Sequence, residues 1–304
     1  MRSNPKQWKK DFGQNGYLVV EDVVDPETLG ALRAAVDDIT SDPDALSPYL
    51  RNYVQMERDY VRQQPEYNEL NSDQLGNAVR NIMELPLFDP QFADFIVFPP
   101  VLDVLEALFE STEFHFHNYK CIVKAARVSS AFRWHRDLPY LEHSTPNLIT
   151  AMVCLDPMTV ENGATVVLPG SHRIPHEAVL PQDAEIKEAA LPGDFERVTV
   201  TCPAGSLVAF DVSIIHGGGQ NRSAAPRRNV VGIWSGPDTY PVTGARYVYH
   251  GLYPRSQDPA RQQQMQLSFP HLFDAPSRAR LDFSHTANAP AGDIEAIKSD
   301  QLDG

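Results

Sequence analysis

The spacing of apolar residues changes once along the chain, close to residue 111. Before that point apolar positions recur at helical intervals. Trp8 and Phe12 share one side of a polar stretch over residues 5–15, Leu29, Leu32, Val36 and Ile39 follow Asp25-Pro26, and Val101, Leu105, Leu108 and Phe109 follow Pro99-Pro100. An aspartate accepts from the free N–H groups of a first helical turn and proline fits that turn, so helices are predicted to begin near residues 26 and 99. Asn15-Gly16 marks a turn, and a short strand follows over residues 17–20. After residue 111 the period is two. Strands are predicted over 113–128, 131–136, 147–155, 164–168, 197–202, 206–215 and 228–235, separated by Pro, Gly and Asn turns. A helical layer (residues 1–110) followed by such a run of strands (core 111–255) predicts a mainly β fold with an α layer. The expected architecture is a double-stranded β-helix, or jelly roll, flanked by N-terminal helices, rather than an alternating parallel sheet.

Two stretches depart from these periods. Residues 41–81 set Tyr49, Tyr53, Tyr60 and Tyr67 among Arg51, Arg58, Arg62 and Arg80. They read either as a solvated helical insertion or as a lid that supplies substrate contacts. From about residue 257 the chain turns polar, which predicts a single domain over residues 1–286 and a mobile tail over 287–304.

Composition narrows the classes of partner. With 26 Lys and Arg against 40 Asp and Glu, the formal charge is −14, which argues against a nucleic-acid or anionic-membrane surface. Cys121, Cys154 and Cys202 are odd in number, and each lies in an apolar strand-like setting, so they read as reduced thiols. The first ten residues are too polar for a signal peptide and no apolar run approaches bilayer length, so a cytoplasmic protein is expected. The oligomeric state is not legible.

The candidate chemistry centres on residues 132–140. His135 and Asp137 are two apart, so on an extended strand an imidazole and a carboxylate point to one face and can share a cation. A third donor is available in His216, 79 residues beyond Asp137, at the end of an apolar run and just before Gly217-Gly218-Gly219. Two histidines and one carboxylate on one face of a metal suit a non-haem Fe(II) oxygenase. Eleven residues past His216 stands Arg227, whose guanidinium fork suits a carboxylate. A strand over 228–235 lying antiparallel to the one ending at His216 would bring it near the metal. Arg133 has the parity of His135 and Asp137 and is expected to face the cavity, where it and Tyr140 are the candidate substrate contacts. Thr165, beside Asn162-Gly163, is a supporting candidate. His172 reads as a structural hydrogen-bonder, and His115, His117 and His143 have no evident partner for metal binding.

Between residues 11 and 236 the chain resembles the phytanoyl-CoA dioxygenase family of Fe(II)- and 2-oxoglutarate-dependent oxygenases, whose fold is cupin-like. The likeness is carried by residues 12–24, Trp134-His-Arg-Asp137, Glu161-Asn-Gly-Ala-Thr165, Leu168-Pro-Gly-Ser-His172, and His216-Gly-Gly-Gly-Gln-Asn-Arg-Ser223 with Arg227. It implies Fe(II) on His135, Asp137 and His216, and the distal carboxylate of 2-oxoglutarate on Arg227. It also implies a further co-substrate contact from Asn118 or Lys120, which by strand alternation share a face with Phe116, Ile122 and Lys124; Lys120 and Lys124 read equally well as exposed strand lysines. Family members often carry a small hydroxyl residue where this chain has Gly218, so one of the family's hydrogen bonds to the co-substrate is not expected here, while the site itself is. With O2, the implied reaction converts 2-oxoglutarate to succinate and CO2 and oxidises a C–H bond of a small-molecule substrate. Related halogenases lack the carboxylate, so Asp137 favours hydroxylation. Lys120, Lys124, Arg127, Arg133 and Arg136 fall within 17 residues of an acidic chain, which suggests an anionic substrate or specialised metabolite. The rival expectation is a cupin-like metal isomerase or binding protein without oxygen chemistry, for which Arg227 would have no use.

Overall fold

The computed structural model describes residues 4–175, 185–243 and 247–273. The expected tail over 287–304 and the expected domain end at 286 lie outside the described residues.

Two antiparallel sheets face each other. The larger holds seven strands in the order β1 (Tyr17–Val20), β10 (Leu207–Asp211), β6 (Leu148–Cys154), β12 (Arg227–Ser235), β4 (His115–Lys124), β3 (Val79–Met83) and β2 (Val54–Met56). The smaller holds β8 (Glu185–Ile186), β5 (Phe132–His135), β11 (His216–Gly218), β7 (Thr165–Val167) and β9 (Val198–Thr199). This is the double-sheet jelly roll expected from the alternation, and the two central strands β6 and β12 are buried along their whole length.

Alternation divides each strand of the larger sheet between two cores. Ala151, Val153, Leu207, Ala209 and Val230 face Leu29, Leu32, Val36, Val101, Leu105 and Leu108 of the helices Pro26–Ser41 and Pro99–Phe109. Their neighbours Met152, Cys154, Val208, Phe210 and Val231 pack inward against Ala164 and Val167 of the smaller sheet. The helix starts follow the predicted chemistry: Asp25 Oδ1 accepts from Glu27 N at 3.0 Å and from Thr28 N at 2.9 Å, with Pro26 in the first turn. The three cysteines are buried free thiols.

Residues 41–81 do not form a wholly helical insertion. Apolar Val54, Met56, Val79 and Ile82 are buried, and β2 and β3 extend the larger sheet, with Ile82 opposite Cys121 on β4. An otherwise open sheet edge is thereby paired. A second departure lies in β4. Ile233 pairs with Asn118 but Trp234 pairs with Phe116, so His117 is an extra residue in a bulge. The bulge reverses the alternation: Phe116 packs with Tyr119 and Trp234 on the helix side instead of sharing the face of Lys120, as the unbroken pattern had predicted.

The adjacent Arg227 and Arg228 point to opposite faces. Arg228 is held by Asp156 in a two-pronged pair (Nε–Oδ2 2.8 Å, Nη2–Oδ1 2.9 Å) and reaches Asp37. Arg228 is 8% exposed, so losing its main partner strands a desolvated charge. Asp156→Ala is therefore expected to cost about 3 kcal/mol in denaturant unfolding. Asp37→Ala, at the exposed end, should cost under about 1 kcal/mol. Equal effects would contradict this division.

Candidate active site

His135, Asp137 and His216 come together with their donor atoms all within 4.8 Å of one another, and they are the one group of this kind among the described residues. The route differs from the predicted one in two ways. β5 ends at His135, and Asp137 sits at the start of the short helix Leu138–Leu141, which Pro139 opens, so helix entry rather than strand parity aims its carboxylate. His216 does not close a strand; β10 stops at Asp211, the chain turns, and His216 begins β11 in the facing sheet, directly opposite His135. The two imidazole rings lie 4.1 Å apart.

Each donor is held by a second interaction that leaves one atom free. His135 Nδ1 donates to Arg133 O at 2.9 Å and His216 Nδ1 donates to Ile214 O at 3.2 Å. A carbonyl only accepts, so in both histidines Nδ1 carries a proton and Nε2 is the atom turned toward the site, as a metal requires. Thr150 Oγ1 donates to Asp137 Oδ2 at 2.6 Å, leaving Oδ1 at 3.7 and 3.9 Å from the two Nε2 atoms. Burial, with His216 close by, pushes the His135 pKa down to about 3. Burial alone would raise Asp137, but His216, His135, Lys120 and the Thr150 hydrogen bond outweigh it and hold the carboxyl below its ordinary value. At neutral pH the site therefore presents neutral His135 and ionised Asp137, a donor set suited to Fe(II).

The triad opens on a cavity between the sheets that is also lined by Lys120, Lys124, Thr165, Gly218 and Arg227, with Ile122, Phe132, Met152 and Phe210 as apolar wall. Arg227 arrives from the larger sheet: β12 pairs with β4 and β6 and not with the strand of His216, so the arginine faces the triad across the cavity instead of from beside it. It is 2% exposed, and burial lowers its pKa to about 10, which still leaves it charged at neutral pH. Its Nη1 donates to Asn229 Oδ1 at 2.7 Å in the amide orientation that satisfies both ends of Asn229, while its buried Nε has no partner. No carboxylate among the described residues pairs with it, so the residues present fit a carboxylate-bearing molecule. Lys124, which the unbroken alternation also left open as an exposed strand lysine, is 1% exposed, lines this cavity and lies opposite Arg227 in the register. Its place on the cavity face of β4 was visible in the sequence; its burial was not.

Other predicted contacts fall elsewhere. Asn118 does not line the cavity, although Lys120 and Thr165 do. Arg133 is engaged by Glu185 at 3.2 Å and by the Tyr140 hydroxyl at 3.2 Å, and the Tyr140 ring lies 6.3 Å from that of His135. Arg136 turns inward to Ser171 O and Ile174 O, and Arg127 is exposed. Of the five clustered cations, Lys120 is the one that lines the cavity without an ion pair or hydrogen bond among the described residues. At Gly217 a Cβ would approach Phe132 O to 3.2 Å and Arg133 O to 3.3 Å, so the glycine lets β11 pack closely on β5. His172 Nε2 donates to Gly13 O at 3.3 Å, the structural role expected. The β4 bulge collects His117, His143 and His250 with Tyr247, with His117 Nδ1 3.2 Å from His250 Nδ1. Burial keeps His117 neutral, with its pKa near 2. These imidazoles were not linked by any spacing in the sequence.

Comparison with known proteins is consistent with this geometry. Residues 12–229 match the family model described as phytanoyl-CoA dioxygenase. Relatives include an uncharacterized protein, Rv1501, of Mycobacterium tuberculosis, 28% identical over 70% of this chain and 68% of its own. An ectoine dioxygenase of Bordetella bronchiseptica is 25% identical over 84% of this chain and 81% of its own. An L-proline trans-4-hydroxylase of Streptomyces griseoviridis is 27% identical over 72% and 82%. Among solved structures, EctD from S. alaskensis with 2-oxoglutarate and 5-hydroxyectoine superposes with TM-score 0.61 at 22% identity, covering 82% of this chain and 84% of that one. The α-ketoglutarate-dependent epimerase SnoN from nogalamycin biosynthesis does so with TM-score 0.62 at 19% identity, covering 80% and 87%. No helix among the described residues is long and apolar enough to cross a membrane.

Because Thr150 fixes which oxygen of Asp137 is free, Thr150→Val should weaken Fe(II) binding about tenfold in anaerobic titration while leaving the fold intact by circular dichroism. Unchanged affinity would show that the hydroxyl does not orient the carboxylate.

Proposed function

The chain belongs to the phytanoyl-CoA dioxygenase family, and from that membership we propose that it is an Fe(II)- and 2-oxoglutarate-dependent dioxygenase that hydroxylates an unactivated C–H bond of a small molecule. The observation that carries the reading is Arg227: a buried guanidinium with an open Nε in the same cavity as the triad. A metal isomerase or carrier on the same fold would have no need of it.

His135 Nε2, His216 Nε2 and Asp137 Oδ1 would hold the ion. Bound Fe(II) and 2-oxoglutarate supply activation of O2 coupled to conversion of the oxo acid to succinate and CO2. The chain supplies position and a dry cavity. Arg227 and Lys124 hold the distal carboxylate, and Phe210, Met152 and Ile122 exclude water around the reacting atoms. Lys120 and Thr165 stand where they can bind the rest of the co-substrate or an anionic group of the substrate. The relatives named for ectoine and L-proline support a small molecule as substrate. Arg133 serves by holding Tyr140 beside the metal rather than by meeting an anion itself. The buried reduced thiols support a cytoplasmic setting.

Removing one partner of a buried charge pair costs at least about 2 kcal/mol. Arg227→Gln should accordingly raise KM for 2-oxoglutarate about 30-fold or more, with kcat affected less, as followed by succinate release and O2 consumption. An unchanged KM would remove Arg227 from the co-substrate site.

A further inference from the structure

The 41–81 segment buries two charges behind the wall of the cavity. Glu57 opens the helix Glu57–Gln63 at 0% exposure and Arg80 lies on β3 at 2%. Their side chains meet at 3.5 Å, and the guanidinium is clamped between the rings of Tyr60 (3.6 Å to the centroid) and Phe132 (4.2 Å). Glu57 Oε2 accepts from Ser130 Oγ at 2.6 Å and from Ser130 N at 3.2 Å. Ser130 O in turn accepts from Lys124 Nζ at 2.8 Å, Gly219 O accepts a second bond from the same nitrogen at 2.5 Å, and Nζ lies 4.7 Å from the Phe132 centroid. The segment is thus wired to a residue that lines the cavity.

The charges do not balance. The groups that act on Lys124 are Arg227 from β12, Arg80 from β3 and Glu57 from the helix, which makes one carboxylate for three basic side chains, all of them buried. Burial first, then the two guanidinium groups, drive the lysine well below its ordinary pKa, and Glu57 opposes them. A neutral amine has two N–H groups, and the two carbonyls use both. Protonation adds a third N–H and a charge for which only an incoming anion could compensate.

We propose that this pocket takes up its dicarboxylate together with one proton, that Lys124 Nζ receives the proton, and that Glu57 and Arg80 are positioning residues that set how readily it does so. The inference rests on the reading of the Arg227 pocket as the 2-oxoglutarate site. Before binding, the lysine is held neutral; after binding, the carboxylate favours its ammonium form. Affinity is therefore highest at low pH and falls as pH rises between the free-state and bound-state pKa values, by up to about tenfold per pH unit for one linked proton.

The test is calorimetric titration of the Fe(II)-loaded protein with 2-oxoglutarate, without oxygen, between pH 7 and 9, in buffers of different ionisation enthalpy. Net uptake approaching one proton per ligand is expected for the wild type where the pH lies between the free-state and bound-state pKa values. Lys124→Arg, whose charge is permanent, should bind with no uptake and no pH slope. Glu57→Gln should move the pH-dependent window to lower pH and Glu57→Asp should restore it, whereas a merely structural role would weaken binding equally at every pH. Binding without proton uptake in the wild type overturns the proposal and leaves the co-substrate reading intact. Absence of any 2-oxoglutarate binding overturns both. The wild-type measurement decides even if a variant fails to fold.

Discussion

The pairing of β5 with β11 is the constraint on which the rest depends. It sets His216 directly opposite His135, and two facing imidazoles in a buried setting need a common partner for their inward nitrogens. The backbone carbonyls of Arg133 and Ile214 take the two Nδ1 protons, Thr150 takes one oxygen of Asp137, and what remains is two nitrogens and one oxygen aimed at a shared point. A single register thus converts three residues far apart in the chain into one donor set. A one-residue slip would turn either histidine to the other face of its strand.

The larger sheet supplies the opposing wall, and its alternation sorts the charges. Tyr119, Cys121 and Val123 face the helices, while Lys120, Ile122 and Lys124 face the cavity. The same rule separates Arg228, spent on Asp156, from Arg227, which has no carboxylate among the described residues. The site is thus polarised, with a metal donor set on one sheet and buried cations facing it from the other. A dicarboxylic co-substrate would bridge the two, and buried Glu57 and Arg80 of the 41–81 segment lie behind the cationic end. That segment contributes no residue to the lining and acts from behind it, through the Glu57–Ser130–Lys124 contacts.

Most of the strand plan was legible because half-buried strands alternate, and the helix starts were legible because Asp25-Pro26 and Pro99-Pro100 have local causes. Longer-range facts were less so. The sequence pattern carries no sign of which sheet a strand joins, so β11 was merged with β10 and Arg227 was placed beside His216 rather than opposite it. The bulge at His117 breaks parity without any unusual residue to announce it, and Phe116 was assigned to the wrong face in consequence. Val54, Met56, Val79 and Ile82 are too short a set of apolar positions to stand out among the tyrosines and arginines around them. Lys124 looked like any strand lysine; its burial depends on Ser130, Gly219 and Phe132, which only the fold brings to it.

The central claim is that these residues hold Fe(II) and a 2-oxo acid in one cavity. Its most direct measurement is the visible absorption of the Fe(II)-loaded protein titrated with 2-oxoglutarate in the absence of oxygen. A weak charge-transfer band that saturates with added oxo acid, and that disappears in His216→Ala, is the result the account predicts. No band with the wild-type protein, or the same band with His216→Ala, would contradict it.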